Sequence, residues 1–304
     1  MDKSLLDSLA AIVGEENVRP LEPLAPHTTF KIGGPADAFV SPRSVEEVSQ
    51  VVCACEQASV PWRVIGCGSD LLVADEGVEG VVIEVRDNLS AIRVDGMRVV
   101  AGAGATNAAV AEAACAAGLS GYEFACGIPG TVGGAAIMNA GAYDGEFSQV
   151  CTCVTCVTPE GRIVEVLREG AEWSYRHSMF DAARYVVVAA TLELAPADPV
   201  DIRARMDELT VKREAKQPID MPSAGSTFKR PEGHFAAALI DQAGLKGLAV
   251  GGAQVSTKHT GFVVNAGDAT SADVQALIAE VQRRVLESSG VALEPEVRMW
   301  GREA

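Results

Sequence analysis

The sequence predicts an α+β fold, and three features carry the prediction. Helical apolar faces alternate with short buried strands from Ser44 to Gly118. Short β-branched strands cluster between Val150 and Leu194. A proline-rich break, "APADPV" at 195–200, then precedes a charged helix and a last third of mixed helices and strands. At 304 residues the chain is long for a single hydrophobic core and suits two or three subdomains.

Taken in order, "MDKSLLDSLAAIVGEENV" spaces Leu5, Leu6, Leu9, Ile12 and Val13 as one helical face, with neither a basic start nor a small-residue cleavage site. It reads as a helix of the mature chain rather than a signal peptide. "SPRSVEEVSQVVCACEQA" opens with Ser44 and Glu47 at capping-box spacing and puts Val48, Val51, Val52 and Cys55 on one face; "VPWRVIG" follows as a buried strand. "GVVIEV", "AIRVDGMRVVAGAG" and an alanine-rich segment from Thr106 to Gly118 continue the alternation. "CTCVTCVTPEGRIVEV", turning at Pro159-Glu160-Gly161, and "RYVVVAATLEL" predict antiparallel strands. After "DIRARMDELTVKREAKQ", stopped by Pro218, come a helix near Phe235–Gly244, a strand in "TGFVVNA", and a helix over Ser271–Ser289 with Val274, Leu277, Ile278, Val281 and Val285 as its buried stripe.

Composition excludes several function classes. Forty-one acidic against 25 basic residues give a net charge of -16, which repels nucleic acid and anionic lipid over the whole surface. No apolar run reaches the roughly 18 residues of a membrane span, so a soluble, cytoplasmic protein is expected. The eight cysteines predict no metal centre. "CTCVTCVT" alternates as a strand, placing Cys151 and Cys153 on one face and Cys156 on the other, with no second pair and no histidine cluster. Reduced packing cysteines are the expectation.

Two glycine loops point to a bound anion. "VIGCGSDLL" sets Gly66, Cys67, Gly68, Ser69 and Asp70 directly after a strand, where successive N–H groups form a concavity for anions. "GIPGTVGGAAIMNAGAY", Gly127 to Tyr143, holds five glycines in 17 residues, a cost in chain entropy that suggests close backbone approach to a ligand. "GAGATN" from Gly102 lacks the third glycine of a dinucleotide fingerprint, and a Walker lysine is missing. The composite reading is a large cofactor held by backbone from two loops. In "PSAGSTFKRP", Ser226 sits in a small-residue turn before Lys229 and Arg230, open to a nucleophilic, phosphate-binding or proton-donating role or to that of an ordinary turn serine; no G-x-S-x-G elbow accompanies it.

With "TTFKIGGPAD", "GCGSD" and "GIPGTVGGAAIMNAGAY" in this order the chain resembles flavoproteins of the vanillyl-alcohol-oxidase type. "YRHSMF", "AGSTFKRP" and "LEPEVRMWG" narrow the resemblance to the UDP-N-acetylenolpyruvoylglucosamine reductase family, over about Pro26 to Gly301. The resemblance implies a two-subdomain FAD-binding region over 1–196 (about 1–88 and 89–196). A C-terminal α/β substrate-binding domain over 203–296 follows, with a segment 297–304 returning to the first FAD subdomain. It implies that NADPH reduces FAD and that hydride then reaches the terminal vinyl carbon of an enolpyruvyl group on a UDP-sugar, leaving charge on the neighbouring carbon and carboxylate.

By the same resemblance Arg176 holds the carboxylate through its planar fork, Ser226 protonates the carbon, and Glu296 shares in stabilising the intermediate, which requires it to be protonated or hydrogen-bonded. FAD is expected on Gly66, Cys67, Gly68, Ser69, Asp70, Gly127, Ile128, Pro129, Gly130, Gly133, Asn139 and Gly141. Lys229, Arg230, Lys258 and His259 are the candidate substrate contacts, Lys229 also supporting Ser226; Lys258 and His259 are named from their charge alone, as contacts to the UDP phosphates, with plain surface exposure the equal alternative. Two departures stand out. Asp70 replaces the family's usual asparagine, and His177–Pro222 is too short for the inserted tyrosine loop of one branch, which assigns the other branch. The expected partners are small molecules, the expected state a monomer. A flavin oxidase of the same fold and a non-catalytic nucleotide-sugar-binding protein remain open alternatives at this point.

Overall fold

The structure is a computed structural model that describes residues 1–302; residues 303 and 304, the end of the predicted C-terminal segment, lie outside them. The chain forms two compact units, each discontinuous in sequence. One comprises 1–20, 38–67 and 80–213, the other 21–37, 68–79 and 214–304.

The first unit is built on two sheets. In the smaller, Val18–Pro20 pairs antiparallel with Ala38–Val40, while Trp62–Ile65 runs parallel to Val81–Glu84. Helices Lys3–Val13 and Val45–Gln57 bury Leu5, Leu9, Val48, Val51, Val52 and Cys55 in the core of this unit. Ser44 caps its helix by accepting from the Glu47 N–H, but Glu47 returns its carboxylate to the N–H of Arg43 at 2.7 Å, so the box closes one residue earlier than its spacing predicts. The larger sheet has five antiparallel strands, ordered Ile163–Leu167, Cys151–Val157, Val186–Glu193, Arg98–Gly102, Ile92–Asp95.

The cysteine strand corrects one expectation. Its pairing with Val186–Glu193 shifts register between Cys151 and Cys153 and again between Thr155 and Cys156, so simple alternation fails. Such bulges rotate the strand locally, and Cys151 and Cys156 are buried while Cys153 is partly exposed. Burial pushes the thiols of Cys55, Cys151 and Cys156 up to about 12, holding them protonated. Among the described residues no group of three or more His, Cys, Asp or Glu is arranged to hold a metal ion.

The second unit packs the helix Ser271–Ser289 and the helix Ala236–Gln242 with a three-stranded antiparallel sheet, Ala249–Val250, Ala253–Val255 and Val263–Asn265. All five stripe residues of the long helix are buried, each worth about 1.5–3 kcal/mol of transfer free energy. Thr270 and Asp273 close a capping box at its start, and Gly290 (φ 73°) ends it. Its core also takes Phe30, Ile32 and Leu72 from the N-terminal third. The strand Arg298–Trp300 runs parallel to Leu71–Val73 within this same unit. Among the described residues no helix is long and apolar enough to cross a membrane.

Candidate active site

In the first unit the start of the first glycine loop meets the second loop. A β-carbon on Gly66 would lie 2.7 Å from Thr131 Oγ1, so only glycine fits where the first loop leaves its strand. Thr131 also caps the helix Val132–Met138. The second loop is stitched to "GAGATN", the segment that fails as a dinucleotide fingerprint. Asn107 and Val132 donate their N–H groups to Gly130 and Ala105, Gly133 donates to Ala103, and Thr106 bridges Thr131. That segment serves as the bed of the loop, a role spacing alone did not reveal. Ile128 N–H donates to Ala125 O at 3.0 Å and Gly130 adopts φ 107°, while Pro129 is exposed, so the tip turns tightly. Cys67 has its thiol pushed up by burial. From Cys126 to Met138 the chain carries no acidic side chain, and the guanidinium of Arg213 lies beside Gly127. An acid-free turn with a guanidinium beside it suits an anionic group.

Asn139 ends the Val132–Met138 helix in the left-handed region (φ 41°), and its side chain is fully committed. Its Nδ2 donates to Glu146 Oε2 (3.1 Å) and to Ser174 O (3.3 Å), and its Oδ1 accepts from Ser148 N–H. Gly141 begins a hairpin whose tip, Tyr143 and Asp144, has φ 52° and 66°.

Arg176 stands on a tight turn. Ser174 and His177 exchange both backbone hydrogen bonds at 3.2 Å, and Arg176 takes φ 55° between them. Left-handed backbone at a bulky residue is uncommon and marks a position fixed by its surroundings. Three hydrogen bonds fix it to the glycine-loop helix and its cap: Trp173 Nε1 to Ala136 O (2.7 Å), Ser178 Oγ to Ile137 O (2.7 Å), and the Asn139 bond to Ser174 O. The guanidinium lies 5.0 Å from the ring centroid of Tyr175. The arginine turn and the second glycine loop are therefore one rigid assembly.

The second unit brings Ser226 and Glu296 together, residues far apart in sequence. The segment Pro222–Lys229 is laid between two others. Thr227 donates its N–H to Gly261 O and accepts at Oγ1 from Val263 N–H, Glu296 N–H donates to Thr227 O at 2.8 Å, and Lys229 N–H donates to Glu294 O. Ala224, Thr227 and Phe228 are buried, whereas Ser226 is exposed, and among the described residues its hydroxyl makes no hydrogen bond. Gly225 (φ 73°) has nothing within 4 Å of its would-be β-carbon, leaving room beside the hydroxyl. Gly68 belongs to this unit, its would-be β-carbon only 2.4 Å from His27 O; Ser69 is part-buried, and Asp70 O accepts from Arg298 N–H. Arg176 belongs to the other unit.

The four basic candidates behave differently from one another. Lys229 is ion-paired with Glu294, and Arg230 lies 4.1 Å over the ring of Phe235. Lys258 Nζ donates to Glu214 O at 2.6 Å. His259 accepts at Nδ1 from Gly261 N–H and packs edge-on against Phe262; burial, with a smaller contribution from the charge of Lys216, holds it below the usual imidazole range. Lys216 thus joins Lys258 and His259, and sequence reading missed it because a lysine in "VKREAKQP" looks like an ordinary solvated helix face.

Residues 217–300 match the model of the UDP-N-acetylenolpyruvoylglucosamine reductase C-terminal domain, and 36–167 match an FAD binding domain. A curated UDP-N-acetylenolpyruvoylglucosamine reductase from Lachnoclostridium phytofermentans is 48% identical, over 99% of this chain and 98% of its own. The chain belongs to the UDP-N-acetylenolpyruvoylglucosamine reductase family. Another member, from Agathobacter rectalis, is 47% identical over 99% of both chains. The crystal structure of the enzyme from Thermus caldophilus superposes with a TM-score of 0.80 at 35% identity, covering 92% of this chain and 97% of that one. The FAD-binding fold with a C-terminal α/β domain is thereby the fold of this chain, and FAD its cofactor. The stretch His177–Pro222 is taken up by the strand Val186–Glu193 and the helix Pro199–Lys216.

Proposed function

We propose that the chain reduces UDP-N-acetylenolpyruvoylglucosamine to UDP-N-acetylmuramate with electrons from NADPH, as a cytoplasmic monomer serving peptidoglycan synthesis. Near-full-length identity of 48% to a curated reductase supports the reaction. The net charge of -16 speaks against a nucleic acid partner. The observation that carries the reading is the exposed Ser226 hydroxyl on a segment fastened, through Thr227 O, to the backbone of Glu296.

Bound FAD would supply the hydride chemistry between NADPH and the enolpyruvyl vinyl carbon. Gly66, Cys67, Gly127, Ile128, Pro129, Gly130 and Gly133 would hold the cofactor in the first unit; Gly68, Ser69 and Asp70 are candidate cofactor contacts carried by the second unit. Asn139 and Gly141 act by shaping the assembly that carries Arg176. The fork of Arg176 clamps the substrate carboxylate and stabilises charge arriving on it. Ser226 Oγ gives its proton to the carbon bearing that carboxylate, and Glu296 stabilises the same charge while protonated or hydrogen-bonded. Lys258 and His259, with Lys216, offer cations and an imidazole N–H to the UDP phosphates. Lys229 and Arg230 serve by holding the serine segment to Glu294 and Phe235.

Anaerobic spectroscopy tests the reading. The purified chain should be yellow, bleach with NADPH, and recolour only when the enolpyruvyl nucleotide sugar is added. Rapid recolouring by air combined with indifference to the nucleotide sugar would overturn it in favour of an oxidase, and a colourless protein that takes up no FAD in favour of a binding protein.

A further inference from the structure

The helix Pro199–Lys216 lays one face against the second glycine loop. Cys126 Sγ donates to Met206 O at 3.7 Å and lies 3.8 Å from Thr210 Oγ1, and the Tyr143 hydroxyl donates to Leu209 O at 3.4 Å. Met206, Leu209, Thr210 and Arg213 recur at the spacing of a single helical face, which brings Arg213 onto Gly127. A β-carbon there would sit 3.0 Å from Arg213 Cδ and 3.4 Å from Nη1.

Three other cations of this helix have partners: Arg203 pairs with Glu112, and Arg205 and Lys212 both pair with Glu208. Arg213 is only part-exposed, yet among the described residues its guanidinium has neither an ion pair nor a hydrogen bond. Burial pushes it down from its ordinary value, only partly opposed by Tyr143 and Cys126. A guanidinium presents five donors in a fixed fork, and keeping it out of water without an acceptor is costly. The turn beside it carries no acid that could serve.

We propose that Arg213 is an anion-binding residue of the cofactor site, donating to an oxygen of FAD next to the Gly127 turn. The inference rests on the flavin reading above and extends it to a residue outside the glycine loops. Residue 127 lies in the segment matching an FAD binding domain, and a resident cofactor answers a standing charge in every state of the enzyme, which a transient substrate does not. Two FAD oxygens have the required chemistry: those of the diphosphate, and the carbonyl edge of the isoalloxazine, which gains negative charge on reduction.

The test uses the full chain purified with its flavin, as parent, Arg213→Met and Arg213→Lys. Release of FAD on dilution is followed by recovery of free-flavin fluorescence at rising NaCl, and the midpoint potential is measured alongside. Loss of a charged hydrogen bond predicts about ten- to hundredfold weaker retention in Arg213→Met, with partial rescue by Lys. Faster release with a shallower salt dependence assigns the diphosphate; a lowered midpoint potential with retention unchanged assigns the ring. Retention and potential both equal to parent would overturn the proposal, as would weakened UDP binding with unaltered flavin. If Arg213→Met does not fold, Arg213→Lys decides, since replacing the planar fork by a point charge must still shift retention or potential. A parent chain that takes up no FAD would overturn the flavin reading itself, an outcome distinct from a yellow parent with unaffected variants.

Discussion

The hydroxyl of Thr29 donates to the carbonyl oxygen of Ser223 at 2.6 Å, while the N–H of Thr29 donates to Gly68 O. One threonine thus ties the first glycine loop to the start of the serine segment. Thr29→Val keeps the shape and removes the donor, leaving a carbonyl without its partner. The expected cost is about 1 kcal/mol of stability, read as a lower midpoint in a denaturant melt. A kcat reduced more than KM would show that the serine segment has shifted.

Ser226→Ala should leave bleaching of the flavin by NADPH nearly intact while slowing product formation by roughly 10²–10⁴-fold, the usual loss for a removed general acid. Stopped-flow absorbance separates the two half-reactions. Near-normal product formation would take the serine out of the proton-donor role.

Arg176→Lys conserves charge but loses the fork. Turnover should fall with the thermal midpoint almost unchanged, because both side chains meet the same left-handed backbone at φ 55°. A steady-state assay beside a melting curve checks it; an unaltered rate would argue against the carboxylate clamp.

Gly66→Ala should be damaging out of proportion to its size. The added carbon would stand 2.7 Å from Thr131 Oγ1 and 3.2 Å from its Cγ2. Overpacking of this kind costs about 1–3 kcal/mol, and the displaced loop should lower the flavin content of the purified protein, read from its visible absorbance.

The imidazole of His259 is held below its ordinary value by burial first and Lys216 second. Between that lowered value and the ordinary one the unfolded chain binds more protons than the folded chain. The contribution to stability is therefore complete above about pH 6.5 and declines as pH falls through the folded value. His259→Gln should flatten this part of the stability profile, and Lys216→Met should raise the imidazole titration seen by NMR.

What the sequence made legible was local. The stripe from Val274 to Val285 predicted both the bounds and the buried face of its helix, because a strong 3.6-residue period leaves little choice. The cysteine strand was misread because bulges depend on the neighbouring strand, which the strand's own residues do not encode. Likewise the motifs around Ser226 and Glu296 were visible, but the backbone bond from Glu296 to Thr227 that makes them neighbours is a tertiary fact. Arg213 escaped notice because an arginine in a charged helix reads as solvated until the loop beneath it is placed.

The second unit draws Phe30, Ile32 and Leu72 from the N-terminal third into a core otherwise made after residue 213, and its strand Leu71–Val73 waits for Arg298–Trp300. During synthesis those early apolar side chains have no home until the ribosome has released almost the whole polypeptide. A fragment cut to the C-terminal third alone would inherit the opposite defect, a core with three of its large side chains missing. Producing this unit in isolation therefore calls for rejoining the scattered stretches in a new chain order, not for choosing a better point of truncation.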